Sequence, residues 1–208
     1  MPNINAILLA GGQSRRFGSD KALISFAGMK LIEYIYRNLD QNFKKVIVVG
    51  SKAEYSFLKG AEIREDIFQN KGPLAGIYTG LYFSKSRYNF ICGCDMPFLN
   101  SQYFNFLKEE IRKHPKKEII VPRYNNYLEP LAAIYQNSLL KKIKDEILND
   151  NLKIKSFYNN SSKKVISEEL LKRNFDLEKL FFNLNYPKDL ARALRYLKEV
   201  DKIEKESK

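Results

Sequence analysis

The sequence predicts an α/β fold: a single-domain, Rossmann-like, mostly parallel sheet with helices on both faces. Three observations lead there. The apolar runs Asn5 to Leu9, Val46 to Val49 and Tyr88 to Cys94 lack apolar–polar alternation, as strands covered on both faces do. Segments with a helical apolar stripe lie between them, which is the rhythm of right-handed crossovers. The chain of 208 residues has the length for one ordinary core, with no internal repeat, low-complexity linker or second-domain boundary. Residues 1–200 are therefore expected to form one domain, with residues 201–208 as a charged, frayed tail.

Each element has its own signal. After the first strand, Leu31, Ile32, Ile35 and Leu39 share one face of a helix. A strand at Val46 to Val49, a short helix over Lys52 to Lys59 and a strand at Glu62 to Arg64 follow. Pro73 stands near the first turn of a helix with Leu74, Ile77 and Leu81 on one side. After the strand Tyr88 to Cys94, Ser101 is expected to cap a helix carrying Tyr103, Phe104, Leu107 and Ile111.

Past Ile119 to Pro122 the pattern changes. Tyr124-Asn125-Asn126-Tyr127 reads as a turn before the apolar run Leu131 to Tyr135, so a hairpin or a local departure from parallel order is expected. Residues 136–149 read as helical and residues 150–175 as irregular, with Asn159 to Ser162 an exposed loop. Pro187 starts a last helix with Leu190, Leu194 and Leu197 on one side.

Composition bounds the function. Hydrophobic residues make up 44%, no apolar run reaches membrane-spanning length, and the N-terminus lacks the features of a signal peptide. A cytoplasmic protein with no membrane partner is expected. Cys92 and Cys94, one residue apart, fit neither a redox pair nor half a zinc site, and read as packing residues. The net charge of +12 is spread along the chain without a basic arm. That favours a lysine-rich background, or steering of a polyanionic small substrate, over nucleic acid. His114 is the single histidine, so no Ser-His-Asp set exists, and it reads as exposed and inert.

The strongest signal is Leu8-Leu9-Ala10-Gly11-Gly12-Gln13-Ser14-Arg15-Arg16-Phe17-Gly18-Ser19-Asp20-Lys21. A buried strand runs into a glycine pair and then three cations within seven residues. Glycines let bare N–H groups approach phosphate oxygens, and Arg and Lys neutralise charge on a leaving pyrophosphate. At the carboxyl end of a parallel strand the loop lies where ligands bind. Its spacing is neither that of the P-loop nor that of the dinucleotide fingerprint. Further along, Asp95 stands where an apolar strand ends. A carboxylate there suits magnesium, although Asp95 with Pro97 also simply stops a strand.

This run resembles the N-terminal signature of nucleotidyltransferases, and within them the molybdenum cofactor guanylyltransferases, in having Leu-Ala-Gly-Gly at Leu9 to Gly12. The resemblance spans nearly the whole chain and implies the nucleotide-diphospho-sugar transferase version of the fold. It also implies GTP as donor, molybdopterin as acceptor and Mg2+ as cofactor. Leu9, Ala10, Gly11, Gly12 and Lys21 would then contact GTP, with Arg16 and Lys21 stabilising its phosphates. Asp66, ahead of Gly72-Pro73-Leu74-Ala75-Gly76, would contact the guanine edge or the ribose, against the plainer possibility of an exposed acid at a turn. Asp95 would hold the metal and the nucleotide.

Asn183-Leu184-Asn185-Tyr186-Pro187 is similar to a family Asn-x-Asn-Thr-Pro segment, so Asn183 and Asn185 either complete the site or shape a turn. Tyr186 replaces the capping Thr. Glu129-Pro130-Leu131 and Tyr135 also match a family segment, either beside the acceptor or in packing. The expected assembly is a monomer in transient contact with a cofactor-delivering protein. The competing possibilities are a cytidylyltransferase, a guanylyltransferase for another phosphorylated acceptor, and a non-catalytic nucleotide-binding module.

Overall fold

The fold was obtained as a computed structural model, which describes residues 4–10 and 20–206, with side chains described as far as residue 198. The first strand, β1 (Ile4–Leu9), is buried along its whole length. After a short turn at Lys21–Leu23, the small hairpin β2 (Ser25–Phe26) and β3 (Met29–Lys30) leads into α1 (Leu31–Asn42). All four residues of the expected stripe on α1 are buried. Then come β4 (Val46–Val49), α2 (Lys52–Tyr55), β5 (Glu62–Arg64), α3 (Gly72–Phe83) and β6 (Tyr88–Gly93). The second half has α4 (Ser101–Lys113), β7 (Ile119–Tyr124), β8 (Tyr127–Leu128), β9 (Ala132–Gln136) and α5 (Leu140–Leu148). It ends with β10 (Lys163–Ile166), α6 (Glu168–Lys172), α7 (Leu177–Leu180) and α8 (Pro187–Glu206).

The main sheet runs β10-β7-β9-β6-β1-β4-β5, with β8 paired to β7. β1 lies parallel to both neighbours, in register Leu8 to Val48 on one side and Leu8 to Cys92 on the other. Alternate residues face opposite layers. Ala6, Leu8, Val48 and Phe90 pack under α1 and α4, while Ile7, Leu9, Ile47 and Ile91 pack under α3 and α5. Both faces being covered explains why these strands read as continuous apolar runs. The chain moves outward from β1 through β4 to β5, then crosses back through α3 to β6 on the other side of β1. This reversal opens a crevice at the carboxyl ends of β1 and β6.

The expected break in parallel order is present. β9 runs antiparallel to both β6 and β7. Asn125 and Asn126 form the two-residue turn of the β7–β8 hairpin with φ of 47° and 64°, which asparagine tolerates well.

Other expectations are corrected. Asn100, not Ser101, caps α4, its side chain accepting from the Tyr103 N–H at 3.0 Å. α2 stops at Tyr55 instead of reaching Lys59. The stretch 150–175 holds β10, α6 and a turn at Ser156–Tyr158, and Ser161 of the supposed exposed loop is buried, donating to the Phe157 carbonyl at 2.8 Å. The buried line of α8 runs through Leu190, Ala193 and Leu197, at i, i+3 and i+7, leaving Leu194 exposed. The helix runs to Glu206. His114 is half-buried and ends α4, its N–H donating to the Glu110 carbonyl at 3.0 Å. Among the described residues no helix is long and apolar enough to cross a membrane.

Candidate active site

The site grows from the end of β1. The Leu9 carbonyl accepts from the Cys94 N–H at 3.0 Å, and the Ala10 N–H donates to the Val49 carbonyl at 2.8 Å. Both bonds fix where the chain leaves the sheet, so Leu9 and Ala10 serve as a rigid edge, not as a source of free N–H groups. Gly11, Gly12, Arg15 and Arg16 lie outside the described residues. The chain re-enters at Asp20, whose Oδ1 accepts from the Ala22 N–H at 3.0 Å and caps the turn Lys21–Leu23. This places Lys21, and its Nζ lies 2.9 Å from Asp95 Oδ2.

Asp95 sits just past the end of β6. A Cβ on Gly93 would stand 2.6 Å from Asp95 Oδ1, so only glycine leaves room for the carboxylate to fold back against the strand end. The Asp95 carbonyl accepts from the Leu184 N–H at 2.9 Å, which docks the segment before α8 onto the site. Asn185 Oδ1 lies 3.5 Å from Lys21 Nζ, whereas the Asn183 amide donates to the Phe181 carbonyl and shapes the turn. The cap that Tyr186 cannot supply comes from the other direction. The Asp189 carboxylate accepts from the Asn185 and Tyr186 N–H groups at 2.9 and 2.7 Å, as the acidic half of a capping box does.

The Lys21 and Asp95 side chains are 14% and 22% exposed, dry enough for each charge to depend on the other. Cys94 beside them is held as a thiol, pushed up to about 12 by burial first and the Asp95 charge second. Buried Cys92 is shifted upward for the same leading reason. Both cysteines are free and act as packing groups, Cys94 being only half-buried.

Asp66 follows β5 and faces α3, its Oδ1 3.7 Å from where a Cβ on Gly76 would be. That oxygen is buried and has no hydrogen-bond partner among the described residues. Burial raises the Asp66 pKa, with the Thr79 hydroxyl pulling the other way. A buried acceptor left unsatisfied at the crevice calls for a donor from outside the described residues.

Glu129 comes to the same end of the sheet. Antiparallel pairing sets Ala132 opposite Cys92, so the residues before β9 run out beside those after β6. Burial raises the Glu129 pKa, Lys155 lowers it, and Asp95 raises it again. Tyr135, by contrast, is fully buried and donates to the Pro130 carbonyl at 2.8 Å, so it packs and shapes that loop. Sequence reasoning missed Lys155, and it missed Tyr55, whose hydroxyl reaches both Ala10 and Asp20. A lone tyrosine in a four-residue helix carries no signal of such a contact.

Among the described residues no three His, Cys, Asp or Glu side chains form a metal cage. The oxygens nearest the Lys21 ammonium are those of Asp95, at 2.9 Å, and Asn185, at 3.5 Å, both of the hard type that a divalent cation takes.

A doubly wound sheet whose crevice holds this lysine–carboxylate pair fits a nucleotidyltransferase, and the family match carries that class. Residues 6–165 match the MobA-like NTP transferase domain, and the chain belongs to that family. It is 31% identical over 199 residues to the probable molybdenum cofactor guanylyltransferase of Natranaerobius thermophilus, covering 94% of this chain and 97% of the relative. It is 33% identical over 195 residues to the protein of the same name from Carboxydothermus hydrogenoformans, again covering 94% and 97%. The crystal structure of molybdopterin-guanine dinucleotide biosynthesis protein A from Archaeoglobus fulgidus superposes with a TM-score of 0.80 at 27% identity, covering 94% of this chain and 99% of that one.

The raised pKa of Asp66 has a sign that stability can test. A carboxyl with a raised folded pKa stabilises below its unfolded value and loses that contribution as pH rises through the folded value. Asp66→Asn therefore unfolds at higher urea concentration than wild type at pH 7, and the gap closes as pH falls to about 4, the unfolded aspartate range. Equal midpoints at pH 7 would show that the buried carboxylate costs nothing where it stands.

Proposed function

We propose that the chain transfers GMP from GTP to molybdopterin, releasing pyrophosphate and forming molybdopterin guanine dinucleotide. The observation that carries this reading is the Lys21–Asp95 pair, 2.9 Å apart at the carboxyl ends of the strands, in a chain so similar to named guanylyltransferases.

The terminal phosphate oxygen of molybdopterin attacks the α-phosphorus of GTP in line. A P–O bond forms to the acceptor, the bond to the β-phosphate bridging oxygen breaks, and pyrophosphate leaves with the electron pair. The attacking phosphate is already ionised, so no side chain has to remove a proton. Positioning and charge neutralisation supply the catalysis. Lys21 turns from Asp95 toward the phosphates, and Arg16 adds a second cation there. Gly11 and Gly12 offer backbone N–H groups along the edge set by Leu9 and Ala10. Asp66 accepts from the guanine edge or the ribose through its unsatisfied oxygen. Asp95 would hold Mg2+ with help from Asn185, while Asn183 keeps the turn that presents Asn185. When bound, Mg2+ neutralises phosphate charge and fixes the polyphosphate geometry.

Asp95→Asn abolishes magnesium-dependent pyrophosphate release while circular dichroism stays unchanged; near-normal turnover would remove the metal role. Lys21→Ala lowers kcat by roughly 10²-fold, the scale of losing one preorganised transition-state donor.

Specificity is tested by pairing GTP, CTP or ATP with molybdopterin or a sugar 1-phosphate. Only GTP with molybdopterin turns over well. The wrong bases give at most a few per cent of that rate, roughly what unpaired buried polar groups impose. CTP working as well as GTP, or the sugar phosphate being the better acceptor, would overturn the named reaction and leave the nucleotidyltransferase class standing.

A further inference from the structure

Three strand ends meet at one phenol that none of the roles above uses. Tyr55 is the last residue of α2, the short helix after β4, and it is 2% exposed. Its hydroxyl lies 2.7 Å from the Ala10 carbonyl oxygen at the end of β1 and 2.6 Å from Asp20 Oδ2. Ala10 and Asp20 flank residues 11–19, so one side chain joins the two ends of the glycine-rich segment.

The ring itself is clamped. A Cβ on Gly50 would stand 2.6 Å from Tyr55 Cε2, and the Gly50 N–H is tied to the Arg64 carbonyl at 2.9 Å. The ring therefore lies directly on the backbone that links β4 to β5. Burial, and then the Asp20 carboxylate, hold the phenol pKa far above its ordinary value, so the hydroxyl remains a donor facing two acceptors.

Asp20 is held at both oxygens. Oδ2 takes the Tyr55 hydroxyl, and Oδ1 caps the turn that begins at Lys21. The next side chain along reaches Asp95 after β6. A continuous path thus runs from the β4 end through Tyr55, Asp20 and Lys21 to Asp95. Phenylalanine would fill the same space, so core packing alone does not call for the hydroxyl.

We propose that Tyr55 is a positioning residue for nucleotidyl transfer: its hydroxyl locks Asp20 to the end of β1 and thereby sets where Lys21 stands relative to Asp95. The inference rests on the proposed transfer reaction for its kinetic consequence and on geometry alone for the lock. Tyr55 touches no reacting atom and acts through Asp20 and Lys21.

Two measurements test it on the full chain. The first is amide exchange. Tyr55→Phe and Asp20→Ser each speed exchange at the Ala22 amide and leave the Leu8 and Val48 amides of β1 and β4 unchanged. Asp20→Ser keeps a capping oxygen for the Ala22 N–H, removes the one that meets Tyr55 and leaves the buried ring in place, so it still decides the matter if Tyr55→Phe folds poorly.

The second is a double-mutant cycle on kcat for pyrophosphate release with GTP, Mg2+ and molybdopterin. Tyr55→Phe lowers kcat about tenfold, the scale of one hydrogen bond to a charged group. In the Lys21→Ala background the same substitution costs less than about twofold, because residues acting as a unit are not additive. Unchanged Ala22 exchange in the variants overturns the lock. Losses that multiply in the cycle overturn the positioning of Lys21. A wild-type protein that releases no pyrophosphate with any nucleotide defeats the proposed reaction instead, and the exchange measurement still decides the lock.

Discussion

β1 is buried on both faces and hydrogen-bonded on both edges, by β4 and β6. Such a strand has no place for a charged side chain along its length, because an unpaired charge there would face only aliphatic groups. Chemistry can begin only where the strand ends. Parallel pairing brings the ends of β4 and β6 to that same level, and the reversal of chain direction across β1 keeps helices from closing over the opening. The positions of Ala10, Asp20, Asp66 and Asp95 all follow from this one constraint. Ala10, Asp66 and Asp95 stand just beyond strand ends in sequence and converge because the strands are in register, and Asp20 is tied to the β1 end through Tyr55.

Convergence has an electrostatic cost that the site distributes unevenly. Lys21 and Asp95 compensate each other at 2.9 Å. Asp66 has no such partner, and its buried oxygen is left unsatisfied among the described residues. Folding therefore does work to bury this carboxylate oxygen without a donor from the described residues. Such local conflicts with the rules for stability are expected at functional sites. Elsewhere the acids are tied down. Glu62 takes Lys45 and Arg64, Glu118 takes Lys142 and Ser162, and both carboxyls are shifted downward, against the burial that alone would raise them.

How much was legible in the sequence followed the physics of each signal. Doubly buried strands and amphipathic helices announce themselves by apolar periodicity, so β1, β4 and β6 were read nearly to the residue and the buried stripes of α1 and α3 were placed. The turn at Asn125-Asn126 was legible because few residues accept positive φ. β10 was not, since an edge strand with Lys163 and Lys164 on it has the polar composition that edges use to avoid pairing further. Asn100 and Ser101 are both good caps, and only the backbone geometry chooses between them. Asp189 capping Tyr186 from inside the helix, and Tyr55 bridging Ala10 and Asp20, are contacts between chemically ordinary residues. Motif reading singled out Lys21, Asp66 and Asp95 by residue type and flanking segment. It could not find the residues that hold them there.

The antiparallel strand β9 shows how a second wall is added to a crevice that parallel strands alone leave open. Had the strand beside β6 been parallel, its carboxyl end would have met the crevice, as the others do. Running the other way, β9 presents its amino end, and so delivers the segment Glu129 to Leu131 to the Asp95 level. That segment is shaped by its own core: Tyr135 is buried and reaches back to the Pro130 carbonyl, and Tyr158 packs against it from the stretch ahead of β10. Glu129 is consequently held beside Asp95 by residues on the far side of the sheet, with Lys155 offsetting part of the like-charge repulsion. One wall of the crevice is built from the β1, β4 and β5 ends, and the opposite wall from the reversal at β9. A substrate pair joined across the end of β6 would meet two independently braced walls, and the carboxylate between them, Asp95, belongs to both.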